Sequence, residues 1–158
     1  MTEEYDRYCR AQAARWLEHV MSLGTRVRAL QAEIDAQREL ASGLKGMSYD
    51  GMPGPKTAYG DALPDAVARI EDMVACYCTE LAGYVDEQRE AHAALAGMED
   101  EACRSALARH YLACEPWERV CVEMGYTWDG MMKLRRRAML EAYEVMPLRW
   151  RDPIHRAV

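Results

Sequence analysis

The sequence predicts an all-α fold, in which a long antiparallel helical hairpin precedes a small bundle of shorter helices. Half of the 158 residues are hydrophobic, which is enough for a packed core. Phe is absent and β-branched residues are sparse, whereas the strong helix formers Ala, Leu, Met, Glu and Arg are abundant. Two long segments also repeat apolar residues at alternating spacings of three and four. Such a chain forms one domain, or two small ones.

The first predicted helix covers about residues 8–44. Charged residues separate its apolar positions, as expected where one side of a helix packs and the other meets solvent. The packed positions form a heptad seam, interrupted by Gln37: Ala13, Trp16, Val20, Leu23, Val27, Leu30, Ile34, Ala41 and Leu44. A seam of about four heptads needs a second helix to cover it.

A glycine- and proline-rich connection is predicted over residues 45–61, because five glycines and two prolines lie between Gly43 and Asp61. The second helix then covers residues 62–96, with Pro64 in its first turn. It carries a matching seam: Leu63, Val67, Ile70, Val74, Tyr77, Leu81, Tyr84, Gln88 and Leu95. Two seams of similar length joined by one loop predict an antiparallel coiled-coil-like hairpin over residues 1–97.

A few apolar residues lie beside these seams. They are Leu17 and Met21 on the first helix, and Ala66 and Met73 on the second. A second copy of the chain could cover them, which favours a homodimer. Alternatively, the same residues cover the C-terminal bundle, and the sequence does not distinguish the two arrangements.

A helix-turn-helix is predicted within residues 98–146, in the stretch WERVCVEMGYTWDGMMKLRRRAM. Two closely crossing helices need a small residue at the contact, a glycine four residues later in the turn, and an apolar residue six further on. Cys121, Gly125 and Met131 have this spacing. Three neighbouring apolar residues suit the same core: Val120, Met124 and Leu134.

The second helix of this pair would face DNA. Thr127 is placed to cap it, and Asp129 in its first turn suits the helix dipole. The residues expected to contact DNA are Thr127, Trp128, Met132, Lys133, Arg135, Arg136 and Arg137. Lys133 and Arg136 would enter the groove, while the flanking arginines would meet phosphates. The basic run also fits an ordinary solvated face, and Asp129 and Gly130 argue against DNA binding.

The charge distribution separates this helix from the rest of the chain. The net charge is −6 overall, but residues 1–126 hold 13 basic and 22 acidic side chains, whereas residues 127–158 hold 7 and 4. A general nucleic-acid coat is therefore excluded, because such binding depends on many cations. The predicted tail, 147–158, places Arg149, Arg151, His155 and Arg156 around Trp150. It is either a basic arm for DNA or an end held by the tryptophan.

Several other classes of protein are disfavoured. The six cysteines include no C-x-x-C pair, so we expect no structural zinc. The four histidines are scattered and no glycine-rich phosphate loop is present, so neither an enzyme nor a bound cofactor is expected. No window reaches the roughly 18 apolar residues of a membrane span. We expect a cytoplasmic protein with no membrane association.

The order of these parts resembles small prophage-encoded regulators of the RinA and ArpU type, over roughly residues 15–146. The similar stretches are GMSYDGMPGP, DALPDAVARIEDM and LARHYLACEPWERVCVEMGYTWDGMMKLRRRAMLEAY. The last of these is similar to region 4 of sigma-70 factors, a four-helix module that reads promoter −35 elements. The positions that match the family pattern are Tyr111, Trp117, Val120, Cys121, Met124, Gly125 and Tyr126. Thr127 stands where serine is common, and Asp129 and Gly130 stand where polar, often basic, residues are common.

This resemblance implies a DNA-binding transcriptional regulator that activates late or packaging genes of an integrated phage. Its partners would be a double-stranded promoter element and RNA polymerase. Two alternatives stay open at this point. The helix-turn-helix could bind RNA polymerase or a sigma factor without DNA, or the chain could be a packaging subunit similar to small terminases, which also join a helix-turn-helix to coiled-coil helices.

Overall fold

The computed structural model describes residues 2–47 and 62–152, and these residues form five α-helices and no strand. The helices are α1 (Glu3–Met47), α2 (Ala62–Ala96), α3 (Glu101–Leu107), α4 (Trp117–Met124) and α5 (Trp128–Val145). A π-helical turn, Ala108–Leu112, continues α3, and a short 3-10 turn, Leu148–Trp150, follows α5. The all-α prediction is confirmed.

The two long helices pack against each other as a hairpin. Helix α2 has the predicted bounds, whereas α1 begins at Glu3 rather than near residue 8, and ends at Met47 rather than at 44. The early start has a local cause, because Glu3, Glu4 and Asp6 place negative charge in the first turn, where the helix dipole favours it. The remainder of the predicted connection, residues 48–61, lies outside the described residues.

The chain divides into two compact units, and the division cuts both long helices. The hairpin unit is Arg26–Val85, and the core unit combines Met1–Thr25 with Asp86–Val158. The predicted organisation was sequential, with boundaries at residues 97 and 146. In the structure, by contrast, the start of α1 and the end of α2 belong to the same compact unit as the short helices.

In the hairpin unit, the two predicted seams face each other. Ile34, Ala41 and Ile70 are buried, and the other seam residues of this unit are half-buried. Polar contacts at the edges join the same two helices. Lys45 Nζ lies 2.7 Å from a carboxylate oxygen of Glu71. Both side chains of this pair are exposed, so the buried apolar seam supplies most of the stability here.

In the core unit, α1 supplies the centre of a hydrophobic cluster formed with α2 to α5. Trp16 and Leu17 are fully buried there, and Met21 packs against the cluster. The side positions Leu17 and Met21 therefore cover the C-terminal bundle, which was one of the two arrangements that the sequence allowed. Ala66 and Met73 lie half-buried in the hairpin unit. The homodimer stays a prediction. Leu17 and Met21 do not support it, because their side chains pack within the protein.

The segment after α5 is held to the core unit. The Trp150 ring stacks on His19, with centroids 4.7 Å apart, and Arg15 donates a hydrogen bond to the Trp150 carbonyl. Arg149 pairs with Glu90, and Arg151 lies 4.8 Å over the Tyr143 ring. Up to residue 152 the tail is thus an end held by the tryptophan. His155 and Arg156 lie outside the described residues.

The length and polarity of the helices also bear on membranes. Between residues 2 and 47 and between 62 and 152, none of the helices has an apolar stretch that could cross a bilayer.

The central position of α1 gives a stability prediction. Leu17→Ala should lower the unfolding free energy by about 2–5 kcal/mol, because it leaves a cavity in the core unit. Leu40→Ala on the same helix is the matched control. Since the Leu40 side chain is 52% exposed, its loss should cost much less. Urea unfolding of the two variants measures both values, and equal losses would contradict the packing described here.

Candidate nucleic-acid interface

The turn between α4 and α5 has the geometry that its glycine predicts. Gly125 adopts φ 72° and ψ 31°, the left-handed conformation that ends helices without strain only for glycine. The amide of Tyr126 then donates to the Cys121 carbonyl over 2.9 Å, which satisfies one carbonyl of the last turn. A Cβ at Gly125 would meet no atom within 4 Å. The backbone conformation, and not lack of space, therefore demands glycine here.

The predicted helix-turn-helix core residues lie where the two helices meet. Val120 and Met131 are fully buried, and Cys121 and Leu134 are nearly so. Met124 is half-buried and packs against the same cluster. One face of α5 is thereby fixed to the bundle, which leaves its opposite face toward solvent.

Helix α5 begins at the predicted cap. Thr127 accepts a hydrogen bond through its side-chain oxygen from the Gly130 amide, over 3.1 Å. A Cβ at Gly130 would lie 3.1 Å from that same oxygen. The missing side chain at Gly130 thus leaves room for the cap. Thr127, expected from the sequence to contact DNA, holds the helix start in this structure.

The other six residues that the sequence predicts at DNA differ in their exposure and in their contacts within the protein. Met132 is half-buried against the core, while Trp128 is 52% exposed and Arg136 is exposed. Lys133 Nζ lies 3.1 Å from the Asp129 carboxylate, and both side chains are more than three-quarters exposed. Such a solvated pair is worth little. Lys133 can exchange Asp129 for another anion at small cost.

Arg135 is engaged by aromatic rings. Its guanidinium carbon lies 5.3 Å over the Trp117 ring, whose other partner is the stacked ring of His110 at 4.2 Å. A cation over an indole face is attracted by the ring electrons. This stack joins α5 to the first residue of α4, so Arg135 belongs to the scaffold.

The π-helical turn positions His110 in that stack. The Ala113 amide donates to the Ala108 carbonyl five residues back, and His110 Nδ1 donates to the Glu115 carbonyl over 2.7 Å. Burial lowers the pKa of His110 and the positive charge of Arg135 lowers it further, against the opposing hydrogen bond to Glu115. No sequence signal indicated this turn, because its hydrogen bonds depend on the fold of residues 113–117.

Arg137 is engaged by the start of α3. Its guanidinium lies 2.8 Å from Asp100, whose other carboxylate oxygen accepts from the Cys103 amide and caps the helix. That backbone hydrogen bond, assisted by Arg137, lowers the pKa of the Asp100 carboxyl. In this structure Arg137 neutralises a helix cap, and its contact with DNA phosphates stays a prediction.

One possible ligand atom from each of Asp100, Cys103 and Glu141 lies within 4.8 Å of the other two, a grouping that resembles a metal site. Both Asp100 oxygens are already used, and the nearby guanidinium repels a cation. Burial raises the pKa of the Cys103 thiol, whereas metal binding needs the thiolate. We therefore interpret the three residues as a capping network.

An open groove of about 580 Å³ lies between the start of α1 and the exposed side of α5. Its α1 wall contains Arg10, Ala11 and Ala14, and its α5 wall contains Asp129, Met132, Lys133, Arg135, Arg136 and Met139. The sequence analysis did not predict that Arg10 lies near α5. No local signal could have done so, because more than a hundred residues separate the two walls along the chain.

Comparisons of the chain with known protein families, with characterised proteins and with solved structures give no match. The function is therefore inferred from the geometry of α4, α5 and the groove beside them.

The glycine turn gives a prediction with an internal control. Gly125→Ala should destabilise the protein by about 1–2 kcal/mol, because a Cβ is unfavourable at positive φ. Gly83→Ala, in the middle of α2, should instead stabilise by about 0.5–1 kcal/mol, since alanine favours a helix and its Cβ meets nothing within 4 Å. Thermal unfolding compares the two. A Gly125→Ala protein as stable as the wild type would contradict the turn.

The half-buried stack of His110, Trp117 and Arg135 predicts a pH dependence. Because the folded pKa of His110 lies below the ordinary histidine value of 6.5, the unfolded chain binds the proton more readily. The stability due to neutral His110 is present above pH 6.5 and is lost as the pH falls through the lowered pKa. His110→Gln should remove this part of the pH dependence. The measurement is the unfolding free energy of both proteins over that range, and parallel curves would contradict the assignment.

Proposed function

We propose that this protein is a DNA-binding transcriptional regulator that reads a double-stranded promoter element with α5. The observation that supports the proposal is the two-sided character of this helix. One face is buried in the bundle through Met131 and Leu134, while Trp128, Lys133 and Arg136 remain exposed on the other. A short helix, a glycine turn and a second helix with an exposed basic face are what insertion into the major groove requires.

The exposed residues suggest distinct roles on the duplex. Arg136 has no ion pair within the described residues, so its guanidinium is available for a guanine edge or a phosphate. Lys133 would leave the solvated pair with Asp129 and neutralise a phosphate. Trp128 would pack on a deoxyribose or a thymine methyl group. The mechanism is positioning alone, and no bond is made or broken.

The resemblance to prophage regulators extends the proposal to its cellular role. In that reading, the cytoplasmic protein activates phage late or packaging genes, and its hairpin supports dimerisation or touches RNA polymerase. The acidic balance of residues 1–126 suits a protein partner better than a second nucleic-acid surface. The basic face of α5 then remains the DNA-binding part.

A second candidate function is binding to RNA polymerase or a sigma factor without DNA. The observation that favours it is apolar exposure at the helix-turn-helix itself. Val122 on α4 is 81% exposed, and Trp128 and Tyr126 are exposed beside the turn. Exposed aromatic and aliphatic side chains of this kind are typical of protein interfaces.

Selection from a pool of duplexes with a randomised core, followed by fluorescence anisotropy at several salt concentrations, tests the first function. The double variant Lys133→Ala/Arg136→Ala should lose most of the affinity for the selected duplex, because it removes two cations from the exposed face. Its thermal unfolding should match that of the wild type, since neither side chain is buried.

The control is Arg28→Ala/Arg69→Ala, which removes the same charge from exposed positions of the hairpin unit. It should bind the duplex as the wild type does. Equal losses in both double variants would mean that only net charge matters. Absence of duplex binding at low salt, together with capture of purified RNA polymerase, would favour the second candidate.

A further inference from the structure

We infer that the groove between α1 and α5 is a second DNA contact, in which Arg10 and Arg136 grip the sugar-phosphate backbone of one strand. The inference rests on the proposed function, because it assumes that α5 faces a duplex. The helix-turn-helix pattern alone limits the DNA interface to residues 127–137. The groove adds Arg10, which lies on α1, to this interface. The ligand class is a backbone segment carrying phosphate, not a particular base sequence.

Of the cationic side chains that line this groove, Arg10 and Arg136 are the two without a partner among the described residues. Lys133 is paired with Asp129, and Arg135 lies over Trp117. Arg10 and Arg136 form no hydrogen bond or ion pair within the described part of the chain, although both line the groove. Arg10 is also half-buried. A half-buried arginine without a counter-charge has less side-chain freedom to lose when it binds an anion, and a phosphate would supply charge-assisted hydrogen bonds to its guanidinium.

The walls of the groove also carry apolar surface that suits a sugar-phosphate chain. Ala11 and Ala14 on the α1 wall are small, and Met132 on the α5 wall is flexible and half-buried. Deoxyribose carbons can pack on such surfaces while phosphate oxygens meet the arginines. A volume of about 580 Å³ also exceeds what a single inorganic ion would fill.

The position of the groove favours DNA over an acidic protein segment. It runs directly beside the exposed face of α5, with Met132 and Arg136 lining it. When a recognition helix enters the major groove, the phosphates of the bordering strands lie along its flanks. Asp129 is the one acid among the lining residues, and it already has Lys133 as a partner.

Arg10→Gln tests the inference, with the full-length protein and a fluorescein-labelled form of the selected duplex. Loss of one phosphate contact should reduce the slope of log Kd against log salt concentration by about 0.9. It should also weaken selected and scrambled duplexes by a similar factor, because phosphates carry no sequence information. Arg10→Lys should retain most of the slope, and Arg28→Gln on the same helix should leave it unchanged.

Phosphate-ethylation interference distinguishes a direct phosphate contact of Arg10 from a purely structural role, because a structural role would not change the result at one particular phosphate. In the wild type, ethylation of a backbone phosphate flanking the α5 site should block binding. With Arg10→Gln, ethylation of that phosphate should cease to matter, while all other interfering positions persist. Circular dichroism melting checks that the variant is folded.

The possible outcomes separate this inference from the proposed function. If the wild type binds duplex and Arg10→Gln changes neither the slope nor the interference pattern, the groove is not a backbone contact, and the function of α5 stands. If the wild type binds no duplex even at low salt, both proposals fail. If Arg10→Gln abolishes capture of RNA polymerase and leaves DNA binding intact, the groove holds an acidic protein segment instead.

Discussion

The structure depends on the burial of the start of α1 among the short C-terminal helices. Trp16 and Leu17 lie in one cluster with Leu107, Val120 and Met131. A domain shorter than about 70–80 residues rarely has a hydrophobic core large enough to keep it folded. The segment 98–146 is shorter than this limit. The helix-turn-helix therefore takes its apolar partners from the two long helices. This explains why the compact units cut α1 and α2 instead of separating hairpin from bundle.

The same packing defines the candidate interface. By lying against the bundle, α1 forms one wall of the groove beside α5 and brings Arg10 there. The scaffold also uses two cations of the basic run, since Arg135 stacks on Trp117 and Arg137 neutralises Asp100. The charge cluster KLRRR is thus partly structural. A basic run read along a sequence overstates the number of charges available to DNA.

The features that sequence predicted best are those set by near neighbours in the chain. The heptad seams, the left-handed Gly125 and the Thr127 cap depend on residues a few positions away. The Asp100 partner of Arg137 lies 37 residues away along the chain, and the α5 residues that line the groove with Arg10 lie more than a hundred residues away. Periodicity says which face of a helix is charged. It does not say which distant element will meet that face.

The number of free cations constrains how such a protein could find a site. Among the described residues that line the groove beside α5, Arg10 and Arg136 have no ion pair and Lys133 has only a solvated one, so the proposed function would have these three cations available for phosphates. Proteins that make about 6–10 phosphate contacts owe much of their affinity to released counterions. A module with roughly three such contacts gains far less, and the net charge of −6 of the chain adds repulsion. A homodimer, which stays a proposal for this protein, would bring two such modules to one duplex and double the number of phosphate contacts.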